Sequence, residues 1–273
     1  MANSVLAHEP KPALSLAAAQ TRPVRGDVAA NVAAHLRLVG AAAAEGASVL
    51  VFPELSLTGY ELDLAESLAF AVEDARLAPL REAAASHAMT LVVGAPVRLG
   101  ARLQLGAFLL TPDGTVDVYT KRHLGAFGDE ARVDGVVPPP ERRFFEPGAR
   151  DPLLRLGDGS AAIAICADTG RPSHAEAAAA RGAASYLASM FVIPSALEGD
   201  LANLGAIAAR HAMHVVFANY GGPSGGLAAG GRSAIWAADG SLLVQLPASG
   251  AGVAVARREG DGWSTAAVTR PDA

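Results

Sequence analysis

The stretch AAIAICADTGRP, residues 161–172, decides how the rest of the chain is read. It holds Cys166, the only cysteine among 273 residues. Ala162, Ile163, Ala164 and Ile165 lead into it and read as a short buried strand. Asp168, Thr169, Gly170 and Pro172 read as a turn, and the alanine-rich run 176–181 as the helix beyond. A side chain at the end of a buried strand, at a turn into a helix, sits beside backbone N–H groups that have no helical partner. Those donors and the helix dipole favour a thiolate, and any anion formed next to it. A lone cysteine in an apolar strand is more often a small core residue, so its reading depends on partners elsewhere in the chain.

Working outward, the same strand–turn–helix grammar recurs. Residues 14–19 read as a first strand. Residues 26–46 read as a helix with Val28, Val32, Leu36, Val39 and Ala43 on one stripe and Gly46 as its stop. ASVLVF, residues 47–52, is an apolar strand of the kind buried on both faces; Pro53 ends it and Glu54 follows at once. LSLTGYE is a turn, residues 64–87 read as one helix, and TLVVGA at 90–95 as another buried strand. Residues 103–110 and 115–120 flank Pro112-Asp113-Gly114 as a hairpin closed by Lys121. A long irregular stretch, 125–140, carries three successive prolines and ends at Glu141; loops of that length usually have a function or are mobile. Residues 152–156 and 161–166 pair across Gly157-Asp158-Gly159. Strands at 185–189 and 215–219 enclose a helix at 198–211. The glycine-rich loop 221–231 lacks phosphate-loop spacing, and short strands at 233–237, 242–246 and 252–256 close the chain. The mixture predicts an α/β domain, residues 13–273, behind a flexible tail, 1–12.

Composition narrows the function. The net charge of −5 gives no reason to expect nucleic acid or an anionic membrane as partner. One cysteine fits a reducing cytosol, so a cytoplasmic location is expected. The opening MANSVLAHEPKP does not read as a secretory signal, and no apolar run reads as a membrane span. His211 and His214 straddle a helix end without companion ligands, so no metal and no cofactor are expected.

Two polar residues share the position of Cys166 at a strand end. Glu54 follows a buried strand and Lys121 ends a hairpin strand. A carboxylate near a thiol can take its proton as general base. An ammonium there can favour the thiolate and stabilise an oxyanion. Taken singly, either would be an ordinary exposed charge.

VFPELSLTGY with Glu54, YTKRHL with Lys121 and AIAICAD with Cys166 together resemble the three signature segments of the nitrilase superfamily of carbon–nitrogen hydrolases. FFEPG, RGAASYLAS, ANYGG and RSAIWAADGSLL extend the likeness over residues 14–256. The resemblance implies a four-layer α-β-β-α sandwich, assembled as a homodimer or higher homo-oligomer. It implies hydrolysis of a small amide or carbamoyl compound. Cys166 would be the nucleophile, Glu54 the base, and Lys121 with the Ala167 N–H the oxyanion donors. A second glutamate before F-x-PG corresponds to Glu141, with Glu130 in the same loop as its rival. Tyr60 and Met190 are candidate pocket walls, and Arg171 a candidate ligand for a substrate carboxylate. Ala167-Asp168 departs from the Cys-Trp-Glu usual in nitrile-acting members and argues against a true nitrilase. Gly170-Arg171-Pro172-Ser173 replaces the Arg-Phe-Pro-Glu of many amidases and leaves the substrate open. Acyl transfer from the same thioester, and a silent scaffold on the same fold, stand as alternatives.

Overall fold

The first strand, β1 (Ser15–Gln20), buries every residue, and its side chains divide by parity. Leu16 and Ala18 enter one apolar cluster, Ala17 and Ala19 a second. Both faces are therefore covered, as expected of a strand that reads as an unbroken apolar run. This division repeats through the molecule and creates its layers. The protein is described by a computed structural model covering residues 14–131, 137–157 and 159–270; the tail expected at 1–12 lies outside them.

Helix α1 (Val28–Ala44) starts where the Asp27 carboxylate accepts the Ala30 N–H at 3.0 Å, the usual way of satisfying a free N-terminal donor. Strand β2 (Val49–Val51) runs parallel to β1. After the short helix α2 (Ala65–Leu68) and helix α3 (Ala78–Ser86), β3 (Thr90–Leu99) lies parallel to β2, and β4 (Arg102–Leu110) and β5 (Val116–Thr120) continue antiparallel. The second half gives β6 (Leu154–Leu156), β7 (Gly159–Ile165), helix α4 (Pro172–Ala180), β8 (Ser185–Ser189), helix α5 (Leu197–His211), β9 (His214–Ala218), β10 (Ala234–Trp236) and β11 (Leu242–Gln245). Strands β12 (Gly252–Glu259) and β13 (Gly262–Thr269) return to the first sheet. The seven-stranded sheet has the order β13-β12-β1-β2-β3-β4-β5, the six-stranded sheet β11-β10-β9-β8-β7-β6.

Between the sheets, Leu16, Val51 and Val92 meet Ile163, Ile165, Leu187 and Val216. The opposite parity of the first sheet, including Leu50, Leu91 and Val93, packs on Leu38 and Val39 of α1 and Leu80 of α3. On the second sheet Ala162, Ala164, Tyr186 and Phe217 pack on Ala175 of α4 and Leu201 and Leu204 of α5. The result is a four-layer α-β-β-α sandwich. Among the described residues no helix is long and apolar enough to cross a membrane.

Several expectations need correction. Residues 64–87 do not form one helix; α2 and α3 are separated by an extended break in which Phe70 bridges to Val97. The Phe70 N–H donates to the Pro96 carbonyl at 2.9 Å, the Arg98 N–H to the Phe70 carbonyl at 2.8 Å, and the Arg76 guanidinium lies 3.7 Å from the Phe70 ring centre. A fully buried aromatic thus overrides the helical preference of its neighbours. Strand β3 runs to Leu99, four residues past the expected end, because β4 pairs along its whole length. Strand β13 was not expected at all. It is an edge strand with mostly exposed side chains, so it lacks the apolar alternation that marks a half-buried strand.

Candidate active site

The site is built at strand ends, where the two sheets are stitched together. The Ser189 hydroxyl donates to the Phe52 carbonyl at 2.8 Å, and the Glu54 N–H donates to the Met190 carbonyl at 3.3 Å. The Tyr220 hydroxyl donates to the Glu54 carbonyl. Gly94 passes so close beneath this turn that a Cβ there would lie 2.5 Å from Leu55 N and Pro53 O. Glu54 is therefore held from both sheets.

Lys121 follows β5 directly. Its N–H donates to the Leu105 carbonyl, and its carbonyl accepts the Gly148 N–H, both at 2.8 Å. Its ammonium, fully buried, donates to Glu54 Oε1 at 2.6 Å and to Glu141 Oε1 at 2.7 Å. Glu141 opens a 3-10 turn (Glu141–Arg143). Its Oε1 also accepts the Tyr60 hydroxyl at 2.8 Å, and its Oε2 the Gly125 N–H at 2.7 Å. Glu141 thus accepts three fixed donors, while Glu54 Oε2 is buried with no hydrogen-bond partner among the described residues.

Cys166 directly follows β7 with φ +43°, a left-handed conformation that costs a non-glycine residue about 1–3 kcal/mol. It opens a 3-10 turn (Cys166–Asp168). Its carbonyl accepts both the Thr169 N–H and the Thr169 hydroxyl at 2.9 Å. The half-buried sulfur lies 3.7 Å from the Phe191 carbonyl. Ala167, also half-buried, faces the same spot. A Cβ placed on Gly125 would stand 3.5 Å from both the Ala167 methyl and Glu141 Oε1.

Two carboxylates, one ammonium and one thiol share this dry space, and each shifts the others. Burial pushes the Glu54 carboxyl up to about 8, with the Lys121 charge pulling against it. Burial also works to raise Glu141, but the Lys121 charge and the bonds from Lys121, Gly125 and Tyr60 outweigh it and hold it below its ordinary value. Burial opposes the charge on Lys121, yet the two carboxylates keep it firmly protonated. Burial and the Glu54 charge drive the Cys166 thiol well above its ordinary value, Lys121 only partly offsetting them. Burial thus opposes the thiolate that the strand-end position favours. The ammonium is bonded to two carboxylates, so little of its charge is left for the sulfur.

Of the other candidates, Tyr60 lies in the site. Met190 does not: its side chain packs in the outer layer against α5, and only its carbonyl faces the site. The neighbouring Phe191 supplies the wall, with ring centres 4.9 Å from Tyr60, 5.9 Å from Phe127 and 5.2 Å from Tyr220. A one-residue step reverses the facing of an extended segment, which is why type alone did not separate the two. Arg171 is exposed at the start of α4, an ordinary place for a solvated charge. Glu130 is exposed and accepts the Gly128 N–H at 2.9 Å. Gly125 and Phe127 sit in a stretch with no periodic pattern to mark them.

A cavity of about 530 Å³ opens beside Tyr60. Leu62, Phe144 and Leu227 give it apolar walls, and the fold brings Arg25, Glu61 and Asp63 to it. Arg25 pairs with Glu61 and, at 2.5 Å, with Asp63, so these three carry a net charge of −1. Glu61 also accepts the Gly225 N–H at 2.8 Å, tying the glycine-rich loop to the turn that bears Tyr60.

The family model for carbon–nitrogen hydrolases matches residues 15–266. The amidase from Nesterenkonia sp. AN1 superposes with a TM-score of 0.77 at 26% identity, over 92% of each chain. One of its structures shows covalent addition of the acetamide moiety of fluoroacetamide at the active-site cysteine, and another holds butyramide. The glutamine-dependent NAD(+) synthetase of Mycobacterium tuberculosis (strain ATCC 25618 / H37Rv) is 32% identical over 60% of this chain and 26% of its own length. That of Rhodobacter capsulatus is 29% identical over 84% and 41%. The aliphatic nitrilase of Sinorhizobium fredii (strain HH103) is 30% identical over 45% and 48%. The chain thus spans less than half the length of each of these three curated relatives. With a family match running nearly end to end over the two sheets that carry Glu54, Lys121 and Cys166, the chain belongs to the carbon–nitrogen hydrolase family.

Proposed function

We propose that the protein hydrolyses a small amide through a thioester on Cys166. The observation that carries this reading is the buried Lys121 ammonium, bonded at once to Glu54 and Glu141 beside the only sulfur of a cysteine in the chain. A fully buried charge cluster is costly unless every member is paired, and this one leaves Glu54 Oε2 without a partner. That oxygen is the base: it takes the thiol proton as Cys166 Sγ attacks the amide carbon. The carbonyl oxygen becomes an oxyanion, stabilised by the Lys121 ammonium and the Ala167 N–H. Collapse breaks the C–N bond, and Glu54 returns the proton to the leaving nitrogen. Water, deprotonated by Glu54, then attacks the thioester; the acid leaves and the thiol is restored. Glu141 and Tyr60 hold Lys121 in place throughout.

The cavity beside Tyr60 takes the part of the substrate that does not react. Its apolar walls suit a hydrocarbon chain, and the net charge of its ionised residues suits a neutral or cationic substrate over an anionic one. The test is ammonia release from acetamide, butyramide, longer neutral amides and glutamine. Release from at least one amide by the wild type, abolished in Cys166→Ala, is expected. Hydroxylamine added during turnover should divert the acyl group to a hydroxamate. Undiminished turnover by Cys166→Ala would remove the thioester from the account.

A further inference from the structure

Lys121 is flanked, two residues away on either side, by residues that reach one carboxylate. Tyr119 donates its hydroxyl to Asp168 Oδ2 at 2.7 Å. His123 approaches Asp168 Oδ1 with its backbone N–H at 2.8 Å and its Nδ1 at 2.9 Å. Asp168 lies two residues beyond Cys166, is fully buried, and accepts the Ile165 N–H at 3.1 Å from the residue just before the cysteine. A single side chain therefore fastens both flanks of the Lys121 segment to the turn that carries the sulfur. The strained backbone at Cys166 needs such restraint from its surroundings to persist.

The directions of the bonds follow from the partners. A carboxylate only accepts, so His123 carries its proton on Nδ1 and Tyr119 donates. The Tyr119 oxygen is then free to accept from His174 Nε2 at 2.9 Å, which leaves His174 Nδ1 to accept the Tyr186 hydroxyl at 2.8 Å. The chain of donors from β8 through α4 to β5 all points at Asp168, and burial keeps His174 neutral as this arrangement requires. In the whole set His123 is the member partly open to solvent, its side chain 32% exposed.

We propose that His123 is a positioning residue which, through Asp168, fixes the Lys121 ammonium relative to the Cys166 sulfur. The inference rests on Lys121 serving as oxyanion donor in the reaction above. His123 touches no reacting atom; it acts on the distance between two groups that do. A displacement of an ångström in such a pair costs about a hundredfold in rate.

The experiment compares wild type, His123→Ala, His123→Asn, Tyr119→Phe and the His123→Ala/Tyr119→Phe double variant on whichever amide the wild type turns over. Each kcat is divided by the thiol titrated at the active site, and thermal midpoints are recorded in parallel. His123→Ala should lose about 10- to 100-fold in kcat per titrated site, with KM within about twofold. His123→Asn, whose amide N–H can take the place of Nδ1–H, should recover most of the loss. The double variant should lose less than the product of the single losses, because both act through Asp168. A wild-type kcat per titrated site in His123→Ala, or a loss that only mirrors a fall in folded protein, would overturn the proposal. Cys166→Ala separates the two levels: an active Cys166→Ala would refute the reaction itself, while an inactive one beside an unaffected His123→Ala would refute only the positioning role.

Discussion

At the scale of single residues, the proposed base Glu54 sets the pH behaviour expected of the site. An acid whose pKa is raised from the ordinary carboxylate range to about 8 is mostly protonated at neutral pH. In that form it cannot accept the thiol proton, so kcat/KM should climb with pH and level off above about 8. The thiol offers no lower route, since burial and Glu54 hold it well above its ordinary value. Alkylation of Cys166 should follow the same rise, which a pH series with iodoacetamide would measure; a rate already maximal at pH 6 would contradict it. Glu54→Gln keeps an oxygen for Lys121 but removes the base, and should lower kcat by about 100-fold or more. The linkage sign runs the other way for stability. A raised acid binds its proton more tightly when folded, so its contribution is whole below about 4.5 and is lost as pH rises through about 8. Glu54→Gln should therefore flatten the decline in thermal midpoint between about pH 4.5 and pH 8. The three proposed reactive residues were legible in the sequence through the signature segments that hold them, each just after a strand; their protonation states were not, since these depend on burial and on Glu141 arriving from a patternless loop.

At the scale of elements, strand β3 sets where the Glu54 turn can sit. Gly94 contributes no side chain, and the backbone of Pro53 and Leu55 occupies the space. Gly94→Ala must push that turn away by roughly an ångström, a change that overpacking data put at about 1–3 kcal/mol. The expected outcome is a lowered thermal midpoint with a disproportionate loss of kcat, since the shifted residue is the proposed base; unchanged kinetics in Gly94→Ala would show that the turn can yield freely. Helix α1 carries a second device. His35 is buried against Phe52, at 4.1 Å between ring centres, with Nδ1 donating to the Asn31 carbonyl at 2.7 Å and Nε2 accepting from Ser56 at 2.9 Å. Burial lowers its pKa to about 4. The unfolded chain gains this proton below about 6.5 while the folded chain does not, so stability falls as pH drops from about 6.5 towards 4. The full effect is on the order of 3 kcal/mol. His35→Gln should remove that part of the acid sensitivity, read from thermal midpoints at pH 7 and pH 4.5. The stripe of α1 was legible at its 3.6-residue spacing; His35 and Asn31 were not, because polar residues on a buried face gain meaning only from partners on the 53–57 turn.

At the scale of the whole molecule, parity within strands builds four layers, and the layers bring three distant strand ends to one place. Unbroken apolar runs such as SVLVF and AAIAI demand cover on both faces, but the stacking of two sheets into four layers was legible only through the family resemblance. The cavity does not follow from any run. It is made by turns and loops from four parts of the chain, at Arg25, at Tyr60–Asp63, at Pro138–Phe144 and at Pro223–Leu227. Substrate choice belongs to this scale. If the cavity receives the unreactive chain of an amide, then Phe144 contributes a half-buried aromatic wall, and losing its contact with a long chain removes about 1.5 kcal/mol of binding. That corresponds to about tenfold in affinity. Phe144→Ala should thus lower kcat/KM for hexanamide by about tenfold while leaving acetamide within about twofold, because a two-carbon amide does not extend that far. Asp63→Asn, at the exposed rim, should leave both neutral amides unchanged and weaken turnover of an amide bearing a terminal ammonium, an effect that added salt should erase. Equal losses for short and long amides in Phe144→Ala would place the substrate chain elsewhere and leave the reaction at Cys166 untouched.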